Sequence, residues 1–273
     1  TRKRIIIVSI LSAVFYIAQA GLDYSSFLNT TSQLRIDIVK GSILAIFLYL
    51  GTFWALFFKV RGERLFTIML FPSIGILVLS VLLQLIIVNF IAGIGQITLL
   101  ALSFFIVVLF TYINLLAVNI LNISYLQNIP LAQAAKAVVF ILSLIDSFLI
   151  FYMVFTNDIN IFYRLGIVFI IVILLSYISL WSIDIKRGEK FLVSLTGALI
   201  LTIVAFALSI WPISAPYLAL AMTLILYILL NISLEMREII SRFIWIEYGI
   251  IFCLILLLML ILSEWGINGP LIN

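Results

Sequence analysis

The chain has 273 residues, 66% of them hydrophobic and 10% charged, with a mean hydropathy of +1.39, whereas soluble domains use about 45–50% apolar and about 25% charged residues. A water-soluble globule of this size could not cover so much apolar surface, so the bilayer is its solvent. With no histidine and one cysteine, Cys253, the chain lacks the groups for Ser-His-Asp catalysis, histidine-ligated haem or zinc, an intrachain disulfide or a cysteine metal cluster.

A spanning helix needs about 20 mostly apolar residues. The apolar runs cover 5–22, 41–58, 65–90, 98–121, 137–155, 165–183, 191–211, 217–234 and 248–263. They lack the alternation of a barrel strand, so the predicted fold is all-α: a polytopic bundle of about nine spans in a single integral membrane domain, 1–273.

The first run follows Arg2, Lys3 and Arg4 and ends near Ala18-Gln19-Ala20, a small-residue pattern like that of a cleaved signal peptide. An uncleaved first span is the simpler expectation, since the other helices insert anyway. Residues 23–40, with Arg35 and Lys40, read as an outer loop before the second span. The stretch 65–121 is almost unbroken and divides into two helices at Gly93–Gly95, the third span carrying Pro72 and Ser73. Asn114, Asn119 and Asn122 lie towards one end of the fourth span, and 123–135 reads as a weakly amphipathic connection.

The fifth span holds Asp146 near its middle, with Ser143 one turn back and Ser147 adjacent. The sixth adds Ser176 and Ser179. On the seventh, Ser194, Ala198, Thr202, Ala205 and Ser209 make a small-residue stripe that permits close helix approach in lipid, so this helix is expected to be central. Trp211-Pro212 and Pro216 break the chain before the eighth span, where Thr223, Tyr227, Asn231 and Glu235 recur every four residues on one face. Residues 236–247 read as a short amphipathic helix in the headgroup region.

Basic residues set the orientation. If the N-terminus is inside, the inside breaks hold Arg2, Lys3, Arg4, Lys59, Arg61, Arg64, Lys136, Lys186, Arg187, Lys190, Arg237 and Arg242. The outside breaks hold Arg35, Lys40 and Arg164. These twelve and three make up the fifteen Lys and Arg residues, and they predict four outward hairpins plus a final helix, N-in and C-out. The net charge of +4 therefore marks topology and not nucleic-acid binding.

A carboxyl group in mid-membrane costs about 2.5–3.5 kcal/mol on insertion scales, which makes Asp146 a functional candidate by default. It can couple a proton or cation or contact a substrate. It can equally be a hydrogen-bonded residue holding two helices together. Asn114 and Asn119 and the stripe Thr223, Tyr227, Asn231 and Glu235, which runs down to the cytoplasmic end of its helix, gather the polar groups in the cytoplasmic half of the bundle. They can line a vestibule ending near Asp146 and Ser143, or serve as interhelical glue where helix ends are wetter.

The stretches NLLAVNILNISYLQNIPLAQAAKAV (114–138), SLWSIDI (179–185), ALSIWPISAP (207–216) and LEMREIISRFIWIEYGII (234–251) resemble a family of bacterial multi-spanning membrane proteins. It is a domain of unknown function, met mostly in genomes of uncultivated candidate phyla. The resemblance spans about residues 110–263; it implies a bacterial inner-membrane location and no assigned activity, and it carries over no catalytic residues.

Three functions follow in order of expectation. The first is a non-enzymatic scaffold or complex subunit. The second is a small-solute or lipid transporter or flippase with a cytoplasm-facing polar cavity. The third is a lipid-acting enzyme using Lys186, Arg187, Glu189, Lys190, Arg237, Glu238 and Arg242. No catalytic, cofactor or metal site is expected. The expected partners are membrane lipids and, for a subunit, other membrane proteins; nucleic acid is not among them.

Overall fold

A computed structural model of the chain describes residues 2–20, 33–56, 63–89, 94–124, 131–157, 159–181, 187–235 and 242–263. Among the described residues there are nine helices and no strands: α1 (Arg2–Ala20), α2 (Gln33–Ala55), α3 (Glu63–Asn89), α4 (Ile94–Ser124), α5 (Leu131–Thr156), α6 (Ile161–Trp181), α7 (Arg187–Ser209), α8 (Ala215–Glu235) and α9 (Arg242–Ile261). Eight of them, α1–α8, are long and apolar enough to cross a membrane; α9 carries a shorter apolar stretch, Ile246–Ile261. The expected all-α membrane bundle is therefore present, with the last helix the least complete span.

Several helices outrun their apolar stretch. Helix α2 starts at Gln33, so Arg35, Asp37 and Lys40 belong to a helix and not to an outer loop. Helix α9 starts at Arg242, so residues 242–247 of the expected interfacial segment form its first turns; 236–241 lie outside the described residues. Of the expected connection 123–135, residues 125–130 lie outside the described residues and Leu131 already begins α5. The reason is common to all: once nucleated, a helix adds one backbone hydrogen bond per residue, and near a membrane an unpaired peptide group costs more than a helical polar side chain.

Two compact units divide the chain, Thr1–Leu142 and Ser143–Asn273. In the first, α1 packs on α2, α2 on α3, α3 on α4, and α4 back on α1, closing a four-helix ring. Glycine sets two of these approaches. A Cβ on Gly51 of α2 would lie 2.9 Å from Cγ1 of Val8, and one on Gly41 would lie 3.0 Å from Ser80 Oγ and 3.1 Å from the Leu77 carbonyl oxygen of α3. Near Gly51, Arg4 donates to the Trp54 carbonyl at 3.2 Å and sits 4.9 Å from its ring. Further along, Phe15 stacks on Phe47 at 5.0 Å.

In α3, Pro72 removes a backbone donor inside the helix. One residue on, Ser73 donates to the Met69 carbonyl at 2.8 Å.

In the second unit, α7 packs along α6 and also touches α8, while α9 rests on α8. The small-residue stripe faces inward, with Ser194, Ala198 and Ala205 each fully buried. Thr202 and Ser209 donate to the Ala198 and Ala205 carbonyls at 2.7 Å, returning their hydroxyls to their own helix.

The turns have local causes. Asn160 caps α6, its Oδ1 accepting from Phe162 N at 3.0 Å. Ser214 accepts from the Tyr217 and Leu218 amides ahead of α8, whose first turn accommodates Pro216. On α9 the buried residues Tyr248, Ile255 and Met259 form one stripe, while Phe252, Leu254, Leu257 and Leu260 are exposed, the pattern of a helix with one protein face and a wide lipid face.

Lipid tails are as apolar as leucine, so close approach and dispersion hold these helices together. Gly41→Leu is expected to destabilise the protein by roughly 1–3 kcal/mol through overpacking against α3. By contrast Gly197→Ala, where an added Cβ meets nothing within 4 Å, should be neutral or slightly stabilising. Thermal unfolding of both variants in detergent checks the contrast.

Candidate functional site

Most polar side chains in the helices are satisfied by the carbonyl three or four residues back. Ser9, Ser12, Thr52, Ser80, Ser103, Thr111 and Ser147 all bond in this way. Such groups are neutral within lipid and need no ligand. The residues to look for are buried polar atoms that this device does not reach, since each costs about 1–3 kcal/mol.

In the second unit the outstanding case is Asp146. It lies on α5, ten residues before the helix end at Thr156 and so about 15 Å from it along the axis. Its side chain is fully buried, and neither carboxyl oxygen has a hydrogen-bond partner among the described residues. One turn back, the Ser143 and Ser179 hydroxyls pair at 3.0 Å, tying α5 to α6, and Ser179 donates to the Leu175 carbonyl at 2.9 Å. That pairing fixes the register, so Asp146 sits at the depth of Ser176, which is buried. On α7, at a similar distance from the connection to α6, Ser194 is fully buried with its Oγ also lacking a partner. The Ser143–Ser179 pair thus joins the two helices, whereas the Asp146 carboxyl makes no hydrogen bond among the described residues.

Thr223, Tyr227 and Asn231 do share a face of α8. Thr223 is buried and donates to Ala219 O at 2.8 Å, and Asn231 Nδ2 donates to Tyr227 O at 3.1 Å. Thr223 and Asn231 therefore bond within their own helix. Glu235 is the last residue of that helix. Asn114 and Asn119 are buried on α4 in the first unit. Asn114 donates to Phe110 O at 3.0 Å while its Oδ1 has no partner, and Asn122 Oδ1 is likewise buried and unmatched. The residues expected to line one vestibule thus come from different packing units. Of the charges considered for a lipid-acting enzyme, Lys186, Arg237 and Glu238 lie outside the described residues, Glu189 is exposed, and Lys190 is buried.

A second polar layer lies in the four-helix ring, where the sequence suggested a loop. Asp37 and Lys40, three residues apart on α2, are 1% and 6% exposed. Tyr16 of α1 is fully buried and lies within reach of Ser103 on α4 and Asp37 on α2, yet its hydroxyl makes no hydrogen bond of good geometry. Gln19, one turn on from Tyr16, is 1% exposed, and both of its amide atoms lack partners among the described residues.

Across the ring, Gly41 lies against Ser80, so one turn further Asp37 is level with Gln84. Gln84 is 5% exposed and both of its amide atoms are again unmatched among the described residues. Four helices therefore bring Tyr16, Gln19, Asp37, Lys40, Gln84 and Ser103 to one end of one bundle. The only sequence signal for it was the opposite-charge pair at helical spacing in 33–40, directly ahead of an apolar run.

The Ser143–Ser179 pair is expected to contribute about 0.6 kcal/mol, the usual size of an interhelical hydrogen bond in a bilayer. A double-mutant cycle with Ser143→Ala and Ser179→Ala, read by unfolding in mixed micelles, measures that coupling.

A family model described as a protein of unknown function (DUF5656) matches residues 7–262. No curated protein and no solved structure matches the chain.

Proposed function

The chain belongs to the DUF5656 family, a family of unknown function, and from that starting point we propose that it is a carrier of the cytoplasmic membrane in which Asp146 takes up and releases a proton or cation. The single observation behind this reading is the carboxyl of Asp146, fully buried in mid-helix with both oxygens unmatched. An aspartate kept for helix adhesion would be hydrogen-bonded, and here Ser143 and Ser179 carry that role one turn away. A buried carboxyl without partners costs stability and is expected where it is used.

The protein lies N-in and C-out in the inner membrane, on the strength of twelve basic residues in the inside breaks against three outside. Membrane lipids are its constant partners. The second reading, a non-enzymatic subunit, draws support from Thr223 and Asn231, whose hydrogen bonds stay within α8 and define no polar path.

Reconstituted in vesicles, the protein should dissipate an imposed pH or cation gradient, and Asp146→Asn should abolish that flux. Asp146→Leu should leave stability unchanged or raise it by about 1 kcal/mol, since it removes an unmatched buried group. Undiminished flux in Asp146→Asn, or a loss of several kcal/mol in Asp146→Leu, favours the subunit reading. Orientation is read separately. In a Cys253→Ala background, Ser214→Cys should react with an impermeant maleimide on intact spheroplasts, while Gly188→Cys should react only after lysis.

A further inference from the structure

We infer that the outer seam between α1 and α2 is a binding site for an anionic phospholipid, its phosphate on the basic first turn of α1 and an acyl chain along the seam. The inference concerns accessible residues of the first unit only and does not depend on the reading of Asp146.

The contact between the two helices defines the seam. Arg4 meets Trp54 near one end, Val8 meets Gly51 next, and Phe15 stacks on Phe47 further along. One flank of that contact turns into the ring, where Ser12 and Tyr16 of α1 and Leu48 and Thr52 of α2 are buried. The other flank carries Ile7, Leu11 and Val14 on α1 and Ile46, Leu50 and Trp54 on α2, each 38–62% exposed. Steps of three or four residues keep each set on one helix face. The Arg4 guanidinium, 4.9 Å from the Trp54 ring, joins the two sets on the same side. Because Gly51 lets α1 come so close, the exposed side chains stand as two walls over the Val8–Gly51 approach. From Arg4 to Val14 the trough runs ten residues, about 15 Å along the helix. That is half of the roughly 30 Å hydrocarbon core, the depth of one leaflet.

The end of the trough selects charge. Arg2, Lys3 and Arg4 open α1, with no acidic residue in that turn. Arg2 and Lys3 are exposed, and neither makes a hydrogen bond or ion pair among the described residues. Arg4 is held in place by the Trp54 carbonyl at 3.2 Å, and the indole sits at the depth where tryptophan favours the interface. A lipid with net negative charge complements this turn. Phosphatidylcholine does so less well, because its own choline offsets its phosphate. A basic turn alone sets topology; here it stands at the head of an apolar trough one leaflet long, and a phospholipid has that shape and that order of charge and tail.

The test uses the full chain in phosphatidylcholine nanodiscs, with phosphatidylglycerol or phosphatidylcholine brominated on the acyl chain as the quencher of tryptophan fluorescence. Brominated phosphatidylglycerol should quench in excess of brominated phosphatidylcholine, and saturably. Trp54 is one of five tryptophans, and the excess should vanish in Trp54→Phe. In Lys3→Gln the preference for phosphatidylglycerol should fall about fivefold, the usual share of one basic residue near a membrane surface. Lys136→Gln removes the same charge from an exposed position on α5 and should leave the preference as it is. Free sn-glycerol 3-phosphate should not relieve the quenching, since it leaves the trough unfilled.

Asp146→Asn should bind phosphatidylglycerol as the parent does, so failure of the carrier reading leaves this one standing. Four results overturn the inference. They are equal quenching by the two lipids, an excess that survives Trp54→Phe, equal weakening in Lys3→Gln and Lys136→Gln, and relief of quenching by glycerol phosphate.

Discussion

A bilayer core holds no water to complete a hydrogen bond, and this constraint governs everything else in the molecule. It forces the backbone into helices, and it explains why those helices extend past their apolar runs into Gln33–Lys40 and Arg242–Glu247. It governs side chains too. Ser73, Thr111, Thr202 and Thr223 all give their protons to carbonyls of their own helix. Against that background an unmatched buried group is conspicuous, because the same physics would have favoured either a back-bond or an apolar side chain.

Because lipid removes the hydrophobic drive between helices, close approach has to be built from small residues. The two units do this differently. In Thr1–Leu142 the approach depends on single glycines, Gly41 against Ser80 and Gly51 against Val8. In Ser143–Asn273 it depends on the stripe from Ser194 to Ala205 on α7, whose buried face meets neighbouring helices. Both devices leave large apolar side chains such as Ile46, Leu109, Ile203 and Leu260 on the outside, where lipid covers them.

Buried polar atoms without a hydrogen-bond partner among the described residues include the Asp146 carboxyl and Ser194 Oγ in one unit and groups of Gln19, Gln84, Asn114 and Asn122 in the other. Asp146 lies one turn from the Ser143–Ser179 pair, and its buried carboxyl is of the kind suited to a proton or cation. The polar face of α8, which in sequence looked like the most regular feature, is chemically the quietest, since its Thr223 and Asn231 are satisfied at home.

The sequence by itself determined the class of protein, the helical fold, the number of crossings to within one and the candidacy of Asp146. Each follows from apolar run length, basic-residue parity or the cost of a mid-span carboxyl, all local properties of the chain. Helix ends were less legible: Asp37 and Lys40 read as loop residues because charge was taken to end a span, whereas packing of α2 against α1 and α3 buries them. The role of the polar stripes was not legible at all. Helical spacing places Thr223 and Asn231 on one face, but whether a hydroxyl or amide turns back to its own carbonyl depends on its rotamer and neighbours. Tertiary structure alone decided that Gln19 and Gln84, sixty-five residues apart in the numbering, come to one layer. Their shared depth is set by the register of two antiparallel helix contacts, α1 on α2 and α2 on α3, which no single segment encodes.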